Sequence, residues 1–356
     1  MKLILTGGFL GSGKTTAIQQ ACNLLLKQNI KVAVVTNDQG DELVDSKFLQ
    51  GFSIPVKEVT KGCFCCNYTV LLENIGYFIK EIHPQIVFAE SVGSCTDLVA
   101  TIANPLAEMH PELTVTISVF VDSYLLWTII NGTSSFIDDS VRYIFKKQME
   151  EADVLILNKT DLLNEQQSKE VQMFMQDEYA GKKIVLQNSL NPEDIQRWLS
   201  CLEKPELTKR KSLELDYEIY GEGEAKLAWL DASVRVANKK ISALNASALL
   251  SQKIYEKIKA KGYTIGHLKF LINDGTEQFK ISYTETSKNE NYFFNSASVK
   301  ASVLINARVQ TTPKALQEIV YKAIDEVALQ TNSTIQIQSI SAFQPGFPKP
   351  THRISS

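Results

Sequence analysis

A glycine-rich segment near the beginning of the chain limits its fold more than any other feature. Residues 8–15, with the sequence GFLGSGKT, fit the pattern GxxxxGK[ST]. They follow a predicted strand, Leu3–Thr6, and open a predicted helix, Thr15–Gln28. The glycines let successive backbone N–H groups point at phosphate oxygens, and the start of the helix adds partial positive charge. The segment therefore predicts a phosphate-binding loop at the edge of a mostly parallel sheet.

The residue types of this loop indicate how a nucleotide would be held. Lys14 is expected to bridge the β- and γ-phosphates, and the Thr15 hydroxyl is expected to bind Mg²⁺. Further contacts with the nucleotide are expected from residues of the loop and the first helical turn, namely Gly8, Gly11, Ser12, Gly13 and Thr16. The alternative, a glycine-rich turn with chance residues, does not account for the strand and helix that flank it.

Short apolar runs alternate with helical patterns over a predicted first domain, residues 1–205. The apolar runs predict strands at Leu3–Thr6, Val32–Thr36, Ile86–Ala89, Val115–Val121, Val154–Leu157 and Ile184–Gln187. The patterns between them predict helices at Thr15–Gln28, Thr69–Ile82, Ser140–Met149 and Asn164–Gln176. This alternation predicts an α/β fold in which helices cover both faces of a mostly parallel sheet. Ligands of such sheets bind at the carboxyl ends of the strands.

A polar stretch, Glu203–Ser212, predicts a linker to a smaller second domain, residues 206–345. Its predicted strands and helices, in chain order, are Leu227–Val236, the helix Ala246–Ala260, His267–Ile272, Phe279–Tyr283, Val303–Val309, the helix Pro313–Leu329 and Thr334–Ala342. This order predicts a ferredoxin-like α+β sandwich with additional strands. The three prolines of Gln344–His352 predict an irregular tail over residues 346–356.

The composition excludes several classes of protein. A hydrophobic fraction of 44% and a charged fraction of 22% are typical of globular domains and exclude a disordered or collagen-like chain. The net charge of −3 gives no support for nucleic-acid binding. No apolar run approaches the length of a membrane span, and the short apolar start is unlike a signal peptide. We therefore expect a cytoplasmic protein whose six cysteines are reduced.

A second motif, residues 158–161 with the sequence NKTD, follows a predicted strand. Guanine presents two donors beside its O6 acceptor, and Asp161 is placed to accept from both, whereas adenine would leave this carboxylate without partners. Asn158 is expected to donate to the O6/N7 edge, and the stem of Lys159 to lie over the base. The backbone N–H of Ser189 is a further candidate donor to O6. Beside a phosphate loop, the motif favours GTP and GDP over ATP.

Three residues are the candidates for hydrolysis, namely Lys14, Glu90 and Gly93. Glu90 ends a predicted strand in the sequence ESVG, where it could hold Mg²⁺ through a water or orient the attacking water, and the Gly93 amide could sense the γ-phosphate. Asp38 follows another strand and is a candidate to reach Mg²⁺. The alternatives are an ordinary acidic residue at position 90 and a turn-starting role for Asp38. Because no arginine lies near a motif, intrinsic hydrolysis is expected to be slow.

The segment GCFCC carries Cys63, Cys65 and Cys66 within four residues. Thiolates at this spacing can converge on one soft or borderline cation, and adjacent cysteines do not form a relaxed disulfide with each other. A tetrahedral ion would still lack one ligand, which water, a client group, or a carboxylate such as Asp41 or Glu42 could supply. An open position suits a carrier that releases its metal. The alternatives are a redox switch and a set of ordinary buried thiols.

The remaining cysteines, histidines and tryptophans carry weaker signals. Cys22 and Cys201 lie on apolar helical faces, which favours a place in the core, whereas Cys95 follows Gly93 closely enough to approach a metal. The four histidines are scattered, so each is interpreted as a surface or hydrogen-bonded residue rather than a metal ligand. The three tryptophans are interpreted as packing residues.

The segments GGFLGSGKTT, GCFCC, ESVG and NKTD occur in this order, and together they resemble those of the CobW-type GTPases. That family belongs to a group of metal-centre and cobalamin-related P-loop GTPases that includes HypB, UreG and MeaB. The resemblance covers the predicted first domain, and the CxCC segment is its specific element. It implies that Cys63, Cys65 and Cys66 bind Zn²⁺ or Co²⁺, and that GTP binding and hydrolysis gate the transfer of this metal to a client. It further implies that Glu90 and Gly93 act in a switch and that the second domain recognises the client.

The chain departs from the family pattern in three respects. Residues 37–40 read NDQG in place of the expected Asn-Glu-Phe-Gly, so Asp38 stands where a glutamate is usual. The histidine-rich stretch of many relatives is missing, so metal storage is not expected. The second domain matches the family only in its predicted order of elements. The identity of the metal, the client and the oligomeric state stay open, although homodimers are common in this group.

Three hypotheses follow from the motifs. In the first, GTP orders the segments around Asp38 and Glu90 and thereby presents or releases a cation at the cysteine segment that lies between them. In the second, the protein is a GTP-dependent chaperone for a cobalamin or corrinoid enzyme, and its cysteines hold structural zinc or sense oxidation. In the third, it is a small-molecule kinase, which leaves the NKTD motif without a function.

Overall fold

The computed structural model describes residues 1–40, 44–134, 138–202, 210–238, 242–287 and 290–355. The chain forms two units that interleave along the sequence. The first unit comprises Met1–Gln39, Ser53–Gly223 and Phe347–Ser356. The second comprises Gly40–Phe52 and Glu224–Gly346. The chain therefore leaves the first unit directly after the strand that precedes Asp38 and returns to it twice.

The first unit is organised by short, apolar strands. Its described residues contain β1 (Lys2–Gly7), β2 (Val32–Asn37), β3 (Val56–Val59), β4 (Ile86–Glu90), β5 (Thr114–Asp122), β6 (Val154–Asn158) and β7 (Lys183–Gln187). They pair in parallel in the order β3-β2-β4-β1-β5-β6-β7. Thr6 lies opposite Glu90, and Asp122 lies opposite Asn158, so the strands carry these residues to the same edge of the sheet. The predicted α/β fold is confirmed.

Helices alternate with these strands, as expected for a parallel sheet. In chain order the described helices up to the second sheet are α1 (Lys14–Lys27), α2 (Val44–Gln50), α3 (Tyr68–Tyr77), α4 (Asn104–Met109), α5 (Ser123–Ile130), α6 (Asp139–Glu150), α7 (Glu165–Glu178), α8 (Pro192–Cys201) and α9 (Tyr217–Ala225). A π-helical turn, Phe78–Ile82, continues α3, so the single helix predicted at Thr69–Ile82 changes its winding partway along. Within the described residues, no helix is long and apolar enough to cross a membrane.

The second unit contains an antiparallel sheet with two long helices on one face. Its described strands and helices are β8 (Ala228–Ala237), α10 (Ala243–Ala260), β9 (Ile265–Asn273), β10 (Gln278–Tyr283), β11 (Lys300–Val309), α11 (Pro313–Thr331) and β12 (Thr334–Phe343). The strand order is β10-β9-β11-β8-β12. Alternate apolar residues such as Leu230 and Ile305 pack with Leu316 of α11 in one core. This is the expected β-α-β-β-α-β sandwich with β10 added at its edge.

Helix α2, which the sequence did not predict, belongs to the second unit. The backbone N–H of Val44 donates to the Asn306 side chain at 2.8 Å. The Asp45 carboxylate forms ion pairs with Lys269 and, at 2.7 Å, with Lys280. Burial alone would raise the pKa of Asp45, but the two ammonium groups outweigh it and hold this pKa well below its usual range. Charged groups thus fix the segment that follows β2 to the sheet of the second unit.

Candidate functional site

The phosphate loop has the positive backbone φ angles that its glycines permit. Gly8, Gly11 and Gly13 have φ angles of 124°, 76° and 92°, in the region that side chains disfavour. The Lys14 ammonium lies across the loop and donates to the carbonyl oxygens of Gly8 at 2.7 Å and Phe9 at 3.3 Å. The loop and its lysine therefore form one concave, cationic turn at the start of α1, as an anion site requires.

The structure brings two predicted magnesium residues together. The Thr15 hydroxyl, in the first turn of α1, donates to Glu90 Oε1 at 2.8 Å. Both side chains are buried. A hydroxyl and a carboxylate in contact beside a phosphate loop are the hard oxygen donors that Mg²⁺ takes, so these residues fit the ion.

The segment after β4 is packed tightly against the phosphate loop. A Cβ atom added to Gly93 would lie 2.6 Å from Leu10 Cδ2 and 3.0 Å from Leu10 Cα. Gln148 of α6 holds the same segment, because its amide donates to the carbonyl oxygens of Gly93 at 3.0 Å and Cys95 at 2.8 Å. Our sequence analysis missed Gln148, since one glutamine inside an amphipathic helix carries no recognisable signal.

The NKTD segment is hydrogen-bonded to the phosphate loop. The Asn158 side-chain amide donates to the Ser12 carbonyl oxygen at 2.7 Å. Its Oδ1 accepts from the Ser189 backbone N–H at 3.1 Å and from the Ser189 hydroxyl at 2.8 Å. These bonds use the groups of Asn158 and Ser189 that were expected to face guanine. Both residues therefore connect three loops at the sheet edge, and Asp161 is exposed beside them.

Lys159 takes an unusual backbone conformation for its residue type. Its φ angle of 60° is left-handed, and its ammonium donates to Asp122 Oδ2 at 2.7 Å. The other Asp122 oxygen accepts from the first backbone N–H groups of α5. This arrangement holds the lysine stem at the sheet edge, where its predicted contact is the face of a base.

The cysteine segment forms a compact group of thiols. The Sγ atom of Cys63 lies 2.9 Å from that of Cys65 and 3.1 Å from that of Cys66, and the last two are 3.9 Å apart. A tetrahedral ion with metal–sulfur bonds of about 2.3 Å needs sulfur atoms roughly 3.8 Å apart. One pair already fits this value and the other two differ from it by less than ~1 Å. The donor set therefore fits a thiolate-preferring cation.

A fourth thiol, that of Cys95 in the segment after β4, contacts Cys63 and Cys65 but lies outside the group of three thiols that could share an ion. The Cys95 side chain is 1% exposed and forms hydrogen bonds with the thiols of Cys63 and Cys65. Bonds from Cys65, Cys66 and Cys95 hold the pKa of Cys63 well below its usual value, because they stabilise its thiolate. The carboxylates proposed as fourth ligands, Asp41 and Glu42, lie outside the described residues.

Asn37, the last residue of β2, holds the cysteine loop in place. Its side-chain amide donates to the carbonyl oxygens of Val59 at 2.9 Å and Gly62 at 2.7 Å, and its Oδ1 accepts from the Phe64 N–H at 2.9 Å. The backbone N–H of Asp38 also donates to the Val59 carbonyl, at 3.1 Å. No sequence pattern predicts this role for Asn37, since nothing local links it to residues more than twenty positions later.

Replacing Asn37 with alanine should loosen the cysteine loop without affecting the phosphate loop. The change removes three hydrogen bonds to one loop, each worth about 1 kcal/mol. We expect the thiols of residues 63–66 to react at least fivefold faster with a maleimide, measured by mass spectrometry, and GDP affinity to stay the same. Asn131→Ala, on an exposed turn, is the matched control. Unchanged thiol reactivity would contradict this role for Asn37.

Residues 2–186, more than half of the chain, match the family described as the CobW/HypB/UreG nucleotide-binding domain. The chain belongs to the CobW/HypB/UreG family. The matched residues include the phosphate loop, the cysteine segment, Glu90 and the NKTD motif. The resemblance deduced from these motifs is therefore confirmed, and the first unit is a P-loop nucleotide-binding domain.

Curated relatives of the chain include proteins named as zinc chaperones. The zinc chaperone YeiR of Escherichia coli (strain K12) is 25% identical over 186 residues, which cover 51% of this chain and 53% of YeiR. The zinc chaperone YjiA of the same organism is 29% identical over 168 residues, or 45% of this chain and 50% of YjiA. The chain thus spans about half the length of these curated relatives. Among solved structures, HypB from Helicobacter pylori in complex with nickel aligns with a TM-score of 0.41 and 16% identity, over 60% of this chain and 91% of that chain.

Proposed function

We propose that this chain is a GTPase that binds a transition metal at its cysteine cluster and releases it to a client protein under the control of the bound nucleotide. The observation that carries the proposal is the attachment of the thiols to both strand ends beside the phosphate loop. Asn37 of β2 bonds the loop of Cys63, and Cys95 belongs to the segment that follows Glu90 of β4. A movement of either strand end would therefore change the metal site.

The proposed metal ligands are Cys63, Cys65 and Cys66, with Cys95 as a fourth in one nucleotide state. Four thiolates form a closed site that retains the ion, whereas three leave a position for a ligand from the client. Zn²⁺ and Co²⁺ are the candidate metals, because both accept tetrahedral thiolate sites. The names of YeiR and YjiA, both zinc chaperones, support Zn²⁺.

On the nucleotide side, the residues that meet at the phosphate loop are proposed to contact Mg²⁺ and the phosphates. Lys14 and the loop amides would bind the phosphates, and Thr15 with Glu90 would hold Mg²⁺. Gly93 would respond to the γ-phosphate, because it already lies against Leu10 of the loop. Asp161 is proposed to read guanine. We expect slow hydrolysis, as in GTPases that wait for a partner to complete the site.

A competition titration with Zn²⁺ and with Co²⁺ tests this function. Protein under anaerobic, reducing conditions is loaded with GDP or with a non-hydrolysable GTP analogue. We expect metal affinity to differ at least tenfold between the two, or about 1.4 kcal/mol, and GTP affinity to change with metal by the same factor. The triple variant Cys63/Cys65/Cys66→Ser should lose binding, whereas Cys201→Ser, at the end of α8, should not.

Two results would overturn the proposal. Metal binding that survives the triple substitution would place the site elsewhere. A cysteine-dependent affinity that is equal in both nucleotide states would make the metal structural, and a chaperone for a corrinoid enzyme would become the better hypothesis.

A further inference from the structure

The segment 347–355 crosses the cysteine cluster as an extended strap. The Lys349 backbone N–H donates to Cys66 Sγ at 3.3 Å, and the Thr351 N–H donates to the Cys65 carbonyl oxygen at 2.9 Å. The His352 ring lies against that of Tyr68, with 4.8 Å between centroids. The strap thus contacts both the sulfur of one proposed ligand and the backbone of another.

A latch attaches the same strap to the segment that carries Cys95. Arg353 Nε donates to Asp97 Oδ2 at 2.9 Å, and Asp97 is 1% exposed. Next to this ion pair, the Ile354 N–H donates to the Ala100 carbonyl oxygen at 2.8 Å. Asp97 has a left-handed φ of 68°, so its own backbone is constrained at the point where the latch holds it.

The end of the strap, residues 351–355, is attached mainly by polar bonds, whereas Pro348 near its start is buried. Residues 351–355 are all exposed, and they are held by hydrogen bonds, the ion pair with Asp97 and the contact of the His352 ring with Tyr68. Segments with few buried apolar contacts open at low free-energy cost.

We propose that residues 347–355 gate the cysteine cluster, with the Arg353–Asp97 ion pair as the latch. Closed, the strap covers Cys66, whose Sγ accepts a hydrogen bond from the Lys349 N–H. When the γ-phosphate displaces the Gly93–Asp97 segment, the latch breaks and the cluster is exposed. The gate rests on the proposed function, since it regulates the same metal site.

The thiol reactivity of Cys66 in metal-free protein tests the gate. Arg353→Ala and a deletion of residues 347–356 are compared with Arg353→Lys, which keeps the positive charge, and with Arg197→Ala on the exposed face of α8. We expect the first two to raise the alkylation rate of Cys66 at least fivefold in the GDP state and to abolish its increase with the GTP analogue. The alkylation rate of Cys66 in Arg353→Lys should lie between those of the unmodified chain and Arg353→Ala. The rate in Arg197→Ala should match that of the unmodified chain.

Metal release gives the second readout. In zinc-loaded protein with GDP, the two opening variants should lose metal to a chelator at least tenfold faster. GDP binding at unchanged affinity shows that each variant is folded, and Arg353→Ala decides alone if the deletion does not fold. Unchanged alkylation and release rates would overturn the gate and leave the proposed function intact. Failure of the unmodified chain to bind metal would overturn the proposed function, while alkylation would still decide whether the strap shields Cys66.

Discussion

Substituting Gly8 with alanine should weaken nucleotide binding at least 100-fold, or by about 2.7 kcal/mol. The new Cβ would lie 2.1 Å from the backbone carbonyl oxygen of Phe120 in β5, where no side chain can yield. Gly8 also has a φ of 124°, which an L-residue rarely adopts. The loop must therefore leave β5, and its N–H groups lose their common direction. Titration with a fluorescent GDP analogue measures the effect.

Gly132→Ala is the matched control for this substitution. Gly132 also has a positive φ, 66°, but its Cβ would meet no atom within 4 Å. Gly132→Ala should lower the free energy of unfolding by only about 1 kcal/mol, which is the strain of a left-handed residue. Thermal unfolding measures this loss, and GDP affinity should not change. Equal nucleotide affinity in Gly8→Ala and the unmodified chain would show that the loop does not depend on this close approach.

The second large effect should be a pH dependence of stability caused by Glu151. Its carboxylate is buried and accepts from the Thr96 hydroxyl at 3.0 Å and the Val99 N–H at 3.3 Å. Burial, with a smaller contribution from the charge of Asp97, raises its pKa to about 8. A carboxyl that holds its proton more tightly when folded stabilises the fold at low pH, and this stabilisation is lost as pH rises. Between pH 5 and pH 7.5 the loss is about 3 kcal/mol.

Glu151→Gln should remove this pH dependence, because the amide stays neutral at every pH. Urea unfolding of the unmodified chain and the variant across this range measures the difference, which isolates Glu151 from other titrating groups. The variant should be the more stable protein at pH 7.5. Asp177 lies on an exposed part of α7, and the free energy of unfolding of Asp177→Asn should change with pH in parallel with that of the unmodified chain. Parallel curves for Glu151→Gln would contradict a raised pKa at this position.

The chemistry-bearing motifs could be read directly from the sequence because each is local. A phosphate loop, a CxCC segment and an NKTD tetrad need only neighbouring residues to be recognisable, and the strands before them predict where they lie. The alternation of apolar runs and helical patterns was sufficient for the α/β fold, since the period of each pattern reflects which faces are buried. The family match over residues 2–186 confirms the family that these motifs indicated.

The residues that connect these motifs could not be predicted, because their partners are distant in the chain. Asn37 bonds a loop some 25 positions away, and Gln148 bonds carbonyl oxygens 53 and 55 positions away. Polar side chains of this kind resemble surface residues in a sequence, since burial is a property of the folded chain. Helix α2 was missed for the same reason, as its seven residues are stabilised by contacts with Asn306, Lys269 and Lys280.

The sequence by itself determined which residues this protein offers for its proposed functions: Lys14 and Thr15 for phosphate and Mg²⁺, and the thiols of Cys63, Cys65 and Cys66 for a transition metal. Only the tertiary structure decided how these functions are connected. It places Cys95 and Asn37 beside the three thiols and lays residues 347–355 over them. The physical reason is that residue type and spacing specify a ligand set, whereas coupling depends on contacts between strand ends and segments that are far apart in the chain.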